Sequence, residues 1–146
     1  RDKPLHRLAP DEIARFGARP TDDQGRAETI RRLLDLADYH ALPGVAQHER
    51  EIAACREAVA VARQSPIANS RLARALADRG QTPAQRDEAV SVALKAVRYA
   101  HEQGGAASRD DEAALMDAYG WALSQRGREE DVAGARRVLR EAADLA

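Results

Sequence analysis

The stretch Ser65-Pro66-Ile67-Ala68-Asn69-Ser70-Arg71-Leu72-Ala73-Arg74-Ala75-Leu76-Ala77-Asp78-Arg79-Gly80-Gln81-Thr82-Pro83-Ala84-Gln85 decides how this chain is read. Serine followed by proline is a helix start: the hydroxyl accepts from an otherwise orphaned amide, and proline sits where its missing N–H costs nothing. Leu72, Ala73 and Leu76 then fall on one face at helical spacing. Gly80 stops the helix, and Thr82-Pro83-Ala84-Gln85 opens another at once, with the spacing of a capping box. Two helices joined by so short a connection predict a helical hairpin.

The same punctuation extends in both directions. Upstream, Thr21-Asp22-Asp23-Gln24 is a further capping box. It predicts a helix to about Ala41 with Ile30, Leu33, Leu34 and Ala37 on one face, stopped by Leu42-Pro43-Gly44. The next helix, to about Gln64, carries Ile52, Cys55, Val59 and Ala62. Downstream, the helix from Pro83 to about Gln103 buries Ala89, Val90, Ala93, Val97 and Ala100, and Gly104-Gly105 breaks it. Ser108 caps a helix through Met116, Tyr119 and Leu123 toward Arg126-Gly127. A last helix from about Glu129 buries Val132, Ala135, Val138, Leu139 and Ala142. A short helix over Asp11 to Phe16 is expected in an N-terminal segment, residues 1–20. No stretch alternates as a strand does. The reading is all-α: six helices in three antiparallel hairpins, units of about 21–64, 65–104 and 108–146, with helix exceeding about 65% of residues against the usual third.

Composition agrees with one domain and excludes several classes of function. The chain has 146 residues, 23 basic and 24 acidic, a formal net charge of −1, 44% hydrophobic and 32% charged residues. It is neither disordered by composition nor membrane-like, and its apolar runs are far too short to span a bilayer. Balanced charge speaks against nucleic acid and membrane surfaces as partners. The arginines, which far outnumber Lys3 and Lys95, alternate with acids and predict a solvated helical surface rather than a phosphate-binding face. A single cysteine rules out an internal disulfide and suits a reducing compartment, so a cytoplasmic location is expected. Alanine, about a fifth of the chain against average usage, favours closely packed helices, and 3% aromatics leave little material for a large cofactor pocket.

The hairpins repeat. The first offers Leu33, Leu36-Ala37 and His40, then Ala54, Ala58 and Val61. The second offers Asn69, Leu72-Ala73 and Leu76, then Ala89, Ala93 and Ala96. The third offers Met116, Tyr119-Gly120 and Leu123, then Ala135, Leu139 and Ala142. Leu36 to Leu72 is 36 positions and Ala54 to Ala89 is 35; Leu72 to Tyr119 is 47 and Ala89 to Ala135 is 46, so both sets of markers shift together. Over roughly Gly25 to Ala146 the sequence resembles the tetratricopeptide repeat family. It departs from the pattern in its longer spacing between first and second helices, in lacking a proline at the close of the second helices, and in having Ala58 and Ala93 where the family has a large residue. The resemblance implies a short right-handed solenoid of three stacked hairpins; a helical bundle without repeats is the other architecture these stripes allow.

Few residues suggest chemistry. His6, His40, His48 and His101 have no metal-ligand spacing, and Gly104-Gly105 lacks a phosphate-loop context, so neither a metal nor a cofactor is expected. Cys55 and His48 share a helical face, yet Cys55 sits on the apolar stripe between Ile52 and Val59 as a small buried hydrophobe would. His40 has the position of a packed or capping side chain. Asp22-Asp23, Asp110-Asp111-Glu112 and Glu129-Glu130-Asp131 all fall in or before a first helical turn, where negative charge complements the helix dipole. No convergent catalytic set remains, and the chain is read as a non-enzyme.

Trp121, the one tryptophan, follows Gly120 and faces away from Met116 and Tyr119. It is either buried in a neighbouring contact or part of a binding surface. In the family, the first helices line a groove. The resemblance therefore implies that Asp117, Trp121, Ser124 and Gln125 share one with Ser70, Arg74 and Asp78, and with Asp38. Trp121 would supply apolar area and Arg74 a bidentate donor for an acidic group. The family's lysine and asparagine clamp for a C-terminal carboxylate is absent. The expected function is a non-catalytic module binding a protein or peptide; a bundle that senses a small ligand is the alternative. The chain starts without Met and its last stripe runs to Leu145-Ala146. A piece of a larger regulatory or scaffold protein, or self-association through the C-terminal helix, is therefore expected.

Overall fold

A computed structural model describes residues 23–80, 82–103 and 109–145. Among these there are six helices and no strand: α1 (Asp23–Ala41), α2 (His48–Val61), α3 (Pro66–Arg79), α4 (Pro83–Gln103), α5 (Arg109–Arg126) and α6 (Glu129–Leu145). The short helix expected over Asp11 to Phe16, the Gly104-Gly105 break and the Ser108 cap lie outside the described residues. The chain divides into two compact units, Arg1–Arg63 and Gln64–Ala146.

In the first unit α1 packs on α2. The buried line of α1 is Thr29, Leu33, Leu36, Ala37 and His40, so Ile30 and Leu34 flank the core rather than form it. His40 is wholly buried, with the Tyr39 ring edge-on at 5.5 Å between centroids. After Pro43-Gly44 the chain turns through Ala46 at φ +44°, a left-handed conformation uncommon for alanine, and the Gln47 amide donates to the His40 carbonyl at 2.9 Å. The second helix ends at Val61, short of the expected Gln64. Its core residues are Ile52, Ala54, Cys55 and Ala58, while Val59 is only half-buried.

The second unit holds α3 to α6, and α5 packs against each of the other three. Its first start signal works as the sequence implies: the Ser65 hydroxyl accepts from the Ala68 amide at 3.2 Å, with Pro66 opening α3. Asn69 adds a second tie, its side-chain amide donating to the Ser65 carbonyl at 2.8 Å. At the start of α4 the Thr82 hydroxyl accepts from the Gln85 amide at 3.1 Å. Gly127, at φ +71°, ends α5 in the left-handed conformation that favours glycine.

Between α5 and α6 the backbones come close because position 120 has no side chain. A Cβ there would stand 2.7 Å from Leu139 Cγ. Ala135 and Val138 are buried and Leu139 lies over Gly120, so most of the last helix's stripe is used inside the unit. One expectation for this helix is corrected. Val132 is 46% exposed, and the buried residue of the first turn is Asp131 at 3%. The reason is an arginine: Arg126 Nε and Nη2 each donate to Asp131 at 2.7 Å, drawing the carboxylate inward and rotating Val132 out. The Arg128 amide also donates to Asp131 Oδ2 at 3.3 Å, which completes the reciprocal half of a helix cap.

Candidate functional site

The N-terminal halves of α3 and α5, with the end of α4, enclose a cleft of about 560 Å³. Pro66 and Ile67 of α3, Ala100 of α4, and Ala114, Leu115 and Ala118 of α5 supply its apolar lining. Ser65, Ser70, Arg71, Arg74, Gln103 and Asp117 supply the polar part. Gln103 donates to the Gln64 carbonyl at 2.7 Å and thereby ties the end of α4 to the residue before the Ser65 cap. Ile67, at the rim, is 68% exposed although it is a large aliphatic residue.

One helical turn along α3 and α5 lies a connected polar group. Trp121 Nε1 donates to Asp78 Oδ1 at 2.6 Å. Arg74 lies with its guanidinium carbon 5.6 Å from the Trp121 ring centroid, Nε 3.6 Å from Asp78 and Nη1 3.9 Å from Asp117. Both inter-helix pairs, Arg74 with Asp117 and Asp78 with Trp121, join residues 43 apart, so α3 and α5 run side by side in the same direction. Trp121 is 38% exposed and does not belong to the core. Cation–π contact and the indole hydrogen bond hold an aromatic surface that burial alone does not.

Ser70, Arg74 and Asp117 line the cleft, and Asp78 and Trp121 adjoin it. Ser124 and Gln125 are exposed on α5 beyond Trp121 and take no part in the polar group. Asp38 is exposed on α1 and belongs to the first unit. The apolar lining was not anticipated. Ile67 sits off the Leu72–Ala73–Leu76 stripe, and Ala100, assigned to the core, is half-buried and faces the cleft. Ala114 and Ala118, one turn apart on α5, were the available signal for a second face.

A second charged group lies at the α5–α6 turn. Arg126 also reaches Asp87 of α4 at 3.5 Å, and Arg128 Nη2 meets the same carboxylate at 2.8 Å. The hydrogen bonds from Arg126 hold the Asp131 carboxyl below the usual aspartate range, and Asp131 in turn raises Arg126. Elsewhere, Cys55 is wholly buried and His48 is half-buried at the start of α2. Among the described residues no three His, Cys, Asp or Glu side chains converge as metal ligands would, and no helix is long and apolar enough to cross a membrane. The acidic clusters Asp22-Asp23 and Asp110-Asp111-Glu112 have side chains outside the described residues.

Comparison with known protein families, characterised proteins and solved structures gives no match to this chain.

Proposed function

We propose that this chain is a non-catalytic, tetratricopeptide-like module that binds a segment of another protein along α3 and α5. In this reading α1–α2, α3–α4 and α5–α6 are antiparallel hairpins of one repeating design. The α5–α6 hairpin stacks on α3–α4 in the right-handed sense of that family. The observation that carries the functional reading is the Trp121–Asp78–Arg74–Asp117 group beside an apolar cleft. An exposed aromatic held by a neighbouring carboxylate, next to an arginine and a hydrophobic recess, is the composition of an interface centre. Concave sites for small molecules have a similar volume. The small-ligand reading, however, requires a ligand enclosed on most sides, and the exposure of Ile67 favours an extended occupant that continues past the rim.

The test uses the one tryptophan as reporter. Peptides enriched from a random display library by the full chain should change Trp121 emission on titration. Trp121→Ala should weaken their binding by about 2 kcal/mol, as for an interface hot spot. Its stability should fall by only about 1 kcal/mol, because a partly exposed ring lacks the 3–5 kcal/mol of a core aromatic. Undiminished binding by the folded variant would refute the reading.

A further inference from the structure

Resting on that reading, we propose that Arg74 recognises the main chain of the bound segment, a neutral carbonyl, and not an acidic side chain. The partner is then an extended peptide with an apolar anchor among uncharged neighbours.

Three observations lead there. First, the guanidinium is held by two ion pairs, but its donors make no hydrogen bond. Asp78 and Asp117 stand 3.6 and 3.9 Å away, beyond hydrogen-bond distance, and among the described residues no other acceptor takes an Arg74 N–H. A guanidinium over an aromatic face keeps its N–H edge available for an in-plane acceptor. Second, Arg74 itself already faces an excess of carboxylate. One arginine faces two aspartates, so the group of Arg74, Asp78 and Asp117 carries −1. A ligand carboxylate on Arg74 would add a third negative charge within a few ångströms, whereas a carbonyl oxygen accepts the same hydrogen bonds without that repulsion. Arg71, the other arginine on the wall, is already engaged by a group of this chain. Third, Arg74 and Asp117 line the same cleft as Ile67, Leu115 and Ala118. A side chain seated in the cleft puts the carbonyl of an adjacent residue, one extended step of about 3.5 Å away, within reach of Arg74.

The experiment pans a random twelve-residue peptide library, capped at both ends, on the full chain and on Trp121→Ala. The best wild-type binder is then remade with single ester-for-amide replacements, which weaken one carbonyl acceptor at a time. Four results are expected. The enriched peptides share an apolar anchor without a required Asp or Glu. One ester position lowers affinity roughly tenfold in the wild type and not in Arg74→Ala, the loss of a hydrogen bond from a charged donor. Arg74→Ala loses the same factor at low and high salt, since no ligand charge is screened. Arg74→Lys, which keeps the charge without the planar fork, should recover little of it.

Enrichment of peptides with an essential acidic residue, binding that collapses with salt, or full recovery by Arg74→Lys would each overturn the main-chain proposal while leaving the binding face intact. Enrichment that is identical on Trp121→Ala, or no enrichment at all, would overturn the binding face itself and this proposal with it.

Discussion

At Trp121 the sequence left two readings open, core or surface, and the neighbouring helix α3 decides between them. The indole N–H finds Asp78 from a different helix, and Arg74 covers the ring, so a large aromatic side chain is held at the surface. No pattern within α5 contains that information, because both partners belong to α3. Cys55 is the opposite case. Its place between Ile52 and Val59 was sufficient to predict burial, and its exposure is 0%. A thiol reagent at neutral pH should therefore modify the native chain more than about a hundredfold slower than the denatured chain, limited by local opening. Rapid modification would contradict the packing of the first unit.

At the scale of helices, the start and stop signals were the most legible part of the chain. Ser65, Thr82, Gly80 and Gly127 act where the sequence places them. Faces were most legible in α3, whose expected Leu72, Ala73 and Leu76 are all buried, and less so for α5, which is packed by three helices and whose expected Met116 and Tyr119 are only half-buried. Two glycines test how the last two helices meet. Gly120→Ala would drive a methyl into Leu139, and the strain should outweigh the gain in helix propensity, for a net loss of about 1–2 kcal/mol. Gly134→Ala, whose Cβ would rest 3.6 Å from Leu123 Cδ1 in ordinary contact, should stabilise by about 0.5–1 kcal/mol. Chemical denaturation of the two variants checks both signs.

The Asp131 clasp was not legible, because the sequence places Asp131 among first-turn acids with nothing to single it out. With 3% of its side chain exposed and 19% of that of Arg126, this pair differs from an ordinary surface ion pair. Asp131→Asn should lower stability at neutral pH by about 2 kcal/mol. The folded carboxyl is held below its unfolded value, so its contribution is complete above about pH 4 and fades as pH falls through the lower folded value. Wild type and variant should therefore converge in acid. A constant difference from pH 7 to pH 2 would assign the loss to packing instead.

For the molecule at large, the all-helical class of the described residues follows from patterning, and the even mixing of charge gives the chain its net −1. The cleft does not. It forms where α3, α4 and α5 meet, from residues such as Ile67, Ala100 and Ala114 that lie at the margins of their stripes. A sequence read helix by helix assigns margins to solvent or to core, and a recess between three helices is neither. The proposed function has this recess and the adjoining Trp121 group bind a protein segment. It is tested most directly by nuclear magnetic resonance on the ¹⁵N-labelled full chain, titrated with the tightest library-selected peptide. The one indole N–H signal reports the Trp121–Asp78 hydrogen bond. On binding, this signal should shift together with the amides of Ile67, Ser70, Arg74 and Asp117, while Leu94 and Val132 stay in place. An unmoved indole signal, with the shifts gathered on α1 and α2 or around Val132, would contradict it.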